Sequence, residues 1–152
     1  MIRTASLAGL LALATPAHAQ DWRLIATTRG PDMAVAIDSN IDRTDPAHPT
    51  ARVLLVFPDG TGPYAAVNGK IGFDCTHKLM RGLEGKAYDE AGVVVFEADA
   101  EENWSPPAPQ SPFDVAYRVV CDGAPMGETI GTGSMLPIAR GRELIERERS
   151  GN

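Results

Sequence analysis

Beyond its first nineteen residues the chain has no apolar run near the ~20 residues that a membrane-spanning helix needs, so no membrane span is expected in its body. Basic residues are in deficit, with fourteen Lys and Arg against twenty Asp and Glu. That balance argues against a nucleic-acid binder, which needs clustered positive charge. Histidine is scarce, with three residues, and cysteine more so, with two. A multi-ligand metal site or a cysteine-rich scaffold is therefore not expected. Uninterrupted stretches are also missing, because twelve Pro and fifteen Gly punctuate 152 residues. Many short elements follow from that composition, rather than long helices. What is present is an ordinary globular balance of 43% hydrophobic and 22% charged residues, which excludes disorder, collagen and coiled coil.

Residues 1–19 read as an export signal. Arg3 supplies the positive start, a short apolar stretch follows, and Ala17-His18-Ala19 gives the small-x-small pattern of a cleavage site. No cysteine stands at the cut to carry a lipid. The expected product begins near Gln20, is soluble, and is periplasmic or secreted. Losing Arg3 leaves thirteen basic residues against twenty acidic ones, a net charge of −7. In an oxidising compartment the two remaining cysteines, Cys75 and Cys121, read as a disulfide; two free thiols or a metal site are the alternatives. Closing a 46-residue separation is worth about 4 kcal/mol in the chain-entropy picture.

Along the mature chain, residues 22–28 and 33–38 read as strands joined by an Arg29-Gly30-Pro31-Asp32 turn. Met33, Val35 and Ile37 share one face of the second. Residues 38–49 form a polar loop. The continuous run Val53-Leu54-Leu55-Val56-Phe57 suits a central strand buried on both faces. A short strand is expected over residues 64–67, a tight turn at Asn68-Gly69, and strands over 70–77, 78–88 and 93–96. Asp89-Glu90-Ala91-Gly92 joins the last two. Residues 99–109 form an acidic, proline-rich surface loop carrying Trp104. Trp104 either packs over the sheet or anchors a partner, since Trp is enriched at binding hot spots.

Ser111, Pro112 and Asp114 have the chemistry of a helix start, and Phe113, Ala116, Tyr117, Val120 and Cys121 follow at helical spacing. The same residues also permit a strand. Residues 124–134 look glycine-rich and loose, and residues 137–148 read as a final helix that Gly141 weakens by about 1 kcal/mol. The expected class is α+β: a single antiparallel sheet of about six strands, one helix tied to it by Cys75–Cys121, and a C-terminal helix. Residues 1–19 are the signal, 20–123 the domain and 124–152 a loose tail.

Chemical motifs fail one by one. Asp38-Ser39-Asn40-Ile41-Asp42 imitates the start of a calcium loop, but Arg43 stands where glycine is needed and Pro49 where glutamate is needed. Cys75-Thr76-His77 offers two ligands and no further partner near in sequence, which leaves His77 as an exposed strand residue. Gly131-Thr132-Gly133 lacks the third glycine of a dinucleotide loop. Asp99, Glu101 and Glu102 read as a solvated loop. No catalytic residue, metal or cofactor is expected.

The order of features resembles the surface-adhesin protein E family of bacterial envelope proteins. The resemblance rests on Trp22 opening the mature chain, Val35-Ala36-Ile37-Asp38-Ser39-Asn40-Ile41, the strand over residues 52–57 and Lys70-Ile71-Gly72-Phe73-Asp74-Cys75. Tyr88-Asp89-Glu90-Ala91-Gly92-Val93-Val94, Trp104 with its prolines, and the segment closing at Val119-Val120-Cys121 complete it. It implies an antiparallel sheet with a tethered helix, often a homodimer, and adhesion to host matrix proteins. Two features depart from it: no lipid-bearing cysteine exists, and residues after Asp122 have no counterpart. The function expected is a non-enzymatic, adhesin-like binding protein whose partner is an envelope or host matrix protein. A small periplasmic hydrolase using His77 or an acidic pair, and a structural envelope protein without ligand, are the alternatives. Intact mass of the exported protein should show a chain starting at Gln20 with both thiols masked from alkylation until reduction; two alkylated thiols without reductant contradict the disulfide.

Overall fold

The computed structural model describes residues 19–29 and 32–151. The expected signal segment before Ala19, and Gly30-Pro31 of the expected first turn, lie outside the described residues. Seven strands form one antiparallel sheet: β1 (Asp21–Thr28), β2 (Met33–Asp38), β3 (Thr50–Val56), β4 (Ala66–Asp74), β5 (Leu79–Tyr88), β6 (Val94–Ala98) and β7 (Thr129–Thr132). Their spatial order is β6-β5-β4-β3-β2-β1-β7, so the first six strands are a meander and the seventh returns beside the first. Helix α1 (Pro112–Cys121) and helix α2 (Ile138–Ser150) pack on opposite faces.

Alternation along the central strands decides which residue meets which helix. Val35, Ile37, Val53, Ile71 and Phe73 face α1 and meet its Ala116, Tyr117, Val119 and Val120. Ala34, Ala36, Leu54, Val56 and Ala66 face α2, together with Trp22 and Ile130, and meet Leu144 and Ile145. The apolar run through β3 is buried on both faces, as its composition requires.

The capping chemistry read at Ser111 is present. Its Oγ accepts from the Asp114 backbone N–H at 3.2 Å, and the Asp114 carboxylate accepts from the Gln110 N–H at 3.1 Å. The Cys75–Cys121 disulfide joins the end of α1 to the turn after β4 with a Cα–Cα distance of 5.3 Å. Beside it the Tyr117 hydroxyl donates to the Cys75 carbonyl at 3.1 Å. Burial raises the Tyr117 pKa, so the hydroxyl keeps the proton it donates. Gly123, at φ +72°, lets the chain leave the helix in a left-handed turn.

Three sequence expectations are corrected. Asn68-Gly69 is not a turn: both residues sit inside β4, which pairs with β3 and β5 along this stretch. A Cβ on Gly69 would lie 3.3 Å from the Glu84 carbonyl oxygen, so close strand approach explains the glycine. The strand expected to run to His77 ends at Asp74, whose carboxylate accepts from the Thr76 and His77 N–H groups and turns the chain.

Nor is the chain loose after residue 124. β7 adds a seventh strand by pairing with β1, and α2 is docked. Two of the glycines there, Gly127 and Gly131, have close neighbours, whereas Gly133 takes φ +91° in open space. A Cβ on Gly127 would lie 2.8 Å from the Leu24 carbonyl oxygen, and one on Gly131 2.7 Å from Pro137.

Gly141 is the same case in the helix, where a Cβ would lie 2.8–2.9 Å from three Val56 side-chain atoms. Gly141→Ala should therefore destabilise the protein. Overpacking costs about 1–3 kcal/mol and outweighs a helix-propensity gain of about 1 kcal/mol. Urea unfolding should show the loss, and a Val56→Ala background should relieve it. A more stable Gly141→Ala variant contradicts the close contact.

Candidate binding surface

β6 is one of the two outer strands of the sheet, with β7 at the other edge, and the less covered of them. It is reached through a tight hairpin in which the Asp89 carboxylate accepts from the Ala91 and Val93 N–H groups at 2.9 Å, with Gly92 at φ +75°. Val93, Val94, Val95 and Phe96 follow, 57%, 38%, 49% and 55% exposed. β6 covers only residues 85–88 of β5. The rest of that edge is closed by the acidic loop. The Glu101 N–H donates to the Gly82 carbonyl while its carboxylate accepts from the Gly82 N–H, and Ser105 exchanges two backbone bonds with Met80. The loop thus blocks the far half of the β5 edge and leaves β6 as the free margin.

Trp104 lies between those two anchors, half-buried on the side of the sheet opposite α1. Its ring is in van der Waals range of the space above Gly72, 5.6 Å from the His48 ring and beneath the Arg81 guanidinium at 4.8 Å. A pocket of about 370 Å³ opens here, with Asp45, Thr50 and Leu83 completing its lining. The Thr50 hydroxyl and Arg81 Nε are shielded and without partners among the described residues.

His48 and His77 meet around one carboxylate. Asp74 lies 2.8 Å from His77 Nδ1 and 3.9 Å from His48 Nε2, while His48 Nδ1 lies 3.0 Å from Asp45. His77 is exposed, as its sequence context suggests, but in a turn rather than a strand. The hydrogen bond to His77 comes first in holding the Asp74 pKa below the ordinary carboxylate value, and the bond to His48 does the same for Asp45.

The calcium-like segment is used structurally. Asp38 accepts from Asp21 N–H and from both the backbone and side-chain nitrogens of Asn40. Asp42 accepts from the Thr44 N–H, and Arg43 donates to the Val120 carbonyl at 2.9 Å, capping α1. Among the described residues no three His, Cys, Asp or Glu side chains gather as metal ligands.

Sequence reasoning singled out Trp104 and both cysteines and did not bring His48, Arg81 and Thr50 to Trp104. Their separations in the chain carry no local signal, and only the register of β3, β4 and β5 brings them together. The exposed valines and phenylalanine of β6 were legible as a strand, but not as an edge.

The architecture defines a small α+β module, one antiparallel sheet held between two helices with a disulfide to one of them. The sequence profile of the surface-adhesin protein E family matches residues 22–122, and the chain belongs to that family. It is accordingly an adhesin-like envelope protein, exported or displayed at the surface, and none of its described helices is long and apolar enough to cross a membrane. Two solved structures of Haemophilus influenzae protein E are similar to it. Crystal form II shares 18% identity, covers 76% of this chain and 98% of that one, and has a TM-score of 0.48. The other shares 19% identity over 74% and 92%, with a TM-score of 0.43. No curated protein sequence matches the chain. β7 and α2 lie outside the matched region.

The lowered pKa values of Asp45 and Asp74 have a pH consequence. A carboxylate whose folded pKa lies below its unfolded value contributes stability above the unfolded value, about 3.9, and loses it as pH falls through the folded one. Unfolding midpoints should therefore fall with pH below about 4, and the Asp45→Asn, Asp74→Asn double variant should show a shallower fall. An unchanged acid profile in that variant contradicts the assignment.

Proposed function

We propose that the protein is an exported, soluble, non-enzymatic binding module that takes a protein partner, from the envelope or the host matrix, along β6. The observation that carries this reading is the run of four exposed apolar residues, Val93 to Phe96, on the free margin of the sheet. An edge strand with open backbone groups and apolar side chains is a template for another strand, and proteins with no use for one blunt it with charge or cover. The loop that follows closes the β5 edge but leaves β6 free. Trp104, held by that loop beside Arg81 of β5, is a second aromatic surface for a partner that extends beyond the end of β6.

The non-enzymatic part draws support from where the reactive groups are used. Both cysteines are in the disulfide, and both described imidazoles are paired with aspartates at the open surface. A second copy of the chain is a reading favoured by the same edge. Antiparallel self-pairing about Val95 and Phe96 sets Val94 of one copy against Glu97 of the other, so no like charges meet.

Sedimentation and binding to immobilised laminin, fibronectin and collagen should test this with native protein and a Val95→Lys, Phe96→Lys variant. Concentration-dependent dimers lost in the variant identify a second copy. Saturable matrix binding lost in the variant, and weakened in Trp104→Ala, identifies a matrix partner. A monomer that binds none of the three, or binding indifferent to the variant, overturns the edge as the contact. Hydrolysis of ester or phosphate substrates that disappears in His77→Ala overturns the non-enzymatic reading.

A further inference from the structure

The second helix leaves part of its own side of the sheet open. α2 rests against β1, β2 and β3. Beyond it a cleft of about 650 Å³ lies over β3, β4 and β5. That size falls inside the range of small-molecule sites, roughly 300–1,000 Å³. Its floor carries Arg52 from β3, Asn68 from β4, and Glu84, Lys86 and Tyr88 from β5. Its wall is the segment leading into α2, where Met135 is 82% exposed.

Two features of the floor specify a ligand. The first is charge: Arg52 pairs with Glu84, and Lys86 pairs with Glu97 at 2.8 Å. The cations are matched by carboxylates, so the cleft has no excess of one sign with which to select an ion. The second is Asn68. It is only 7% exposed, it lines the cleft, and its Oδ1 accepts no hydrogen bond among the described residues. A shielded acceptor without a donor is uncommon in folded proteins and is relieved by a group that brings one.

The strands beneath are interior: β3 lies between β2 and β4, β4 is paired along both sides, and β5 is paired with β6 over residues 85–88. A peptide main chain therefore finds no edge to pair with here, and recognition falls to side chains. Those side chains are flat amide, guanidinium and carboxylate groups, an ammonium and a phenol, beside an apolar wall. Together they offer donors and acceptors at close spacing without net charge.

We propose that this cleft is a binding site for an uncharged saccharide. Vicinal hydroxyls both donate and accept: one donates to Asn68 Oδ1, and its neighbours bridge the Arg52 guanidinium and the Glu84 carboxylate. The apolar C–H face of the sugar rests on Tyr88 and Met135. The site lies on the sheet face, apart from the β6 margin, and stands or falls independently of the partner proposed there.

The test is an NMR titration of the exported protein with N,N′-diacetylchitobiose, maltose and lactose, with sialic acid and triglycine beside them. Saturable shifts centred on Arg52, Asn68, Lys86 and Tyr88, with a dissociation constant on the order of 1 mM for at least one neutral sugar, are expected. Asn68→Leu and Tyr88→Ala should each weaken that binding about tenfold or more while leaving the spectrum of the remaining sheet in place. If Asn68→Leu does not fold, Tyr88→Ala decides. Absence of saturable shifts with all three sugars at about 20 mM, well above that constant, overturns the proposal. Preference for triglycine or sialic acid, or affinity unchanged in the folded variants, overturns it equally.

Discussion

Every side chain of β2, from Met33 to Asp38, is buried. A strand has two faces, so this one strand demands cover on both sides at once. Large residues, Val35 and Ile37, point to α1, and alanines, Ala34 and Ala36, point to α2. The two helices are consequently different in kind. α1 stands on a thick layer of branched and aromatic side chains and is tied by a disulfide and a tyrosine hydroxyl. α2 is drawn close to a floor of small residues, and its Gly141 is the point of nearest approach. Remove either helix and half of β2 faces water, which is why the chain after residue 122 belongs to the fold although it lies outside the matched family region.

The same constraint shapes the surfaces that remain. Cover on both faces is concentrated over β1 to β3, against which both helices pack. Toward β5 and β6 the sheet runs out of helix. There the α2 side turns polar, with Arg52, Asn68, Glu84 and Lys86, and the margin turns apolar, with Val94, Val95 and Phe96. Binding surfaces accordingly gather at the uncovered end, while the covered end supplies rigidity. Paired charges on the open face keep its field weak, in a chain whose net charge is −6.

Local chemistry was readable in the chain wherever it acts over a few residues. The helix start at Ser111, the Asp89–Gly92 turn and the two-faced β3 are short-range patterns with direct physical causes. Asn68-Gly69 misled because a turn and a crowded ladder position favour the same glycine, and only the register against β5 separates them. Residues 124–134 misled for a related reason. Glycine reports either freedom or confinement, and the difference lies in whether Leu24 and Pro137 stand within a Cβ's reach.

By itself, then, the sequence determined the class, the disulfide partners and most of the strand segments, and it carried the cap chemistry of α1 while leaving a strand possible there, because periodicity, capping and cysteine count are properties of the chain. The tertiary structure decided the rest. It placed β7 beside β1, set α2 on the opposite face from α1, brought His48 and Arg81 to Trp104, and left Asn68 Oδ1 without a donor among the described residues. Each of those depends on contacts between residues far apart in the chain, and their cause is the packing demanded by a strand that must be buried twice.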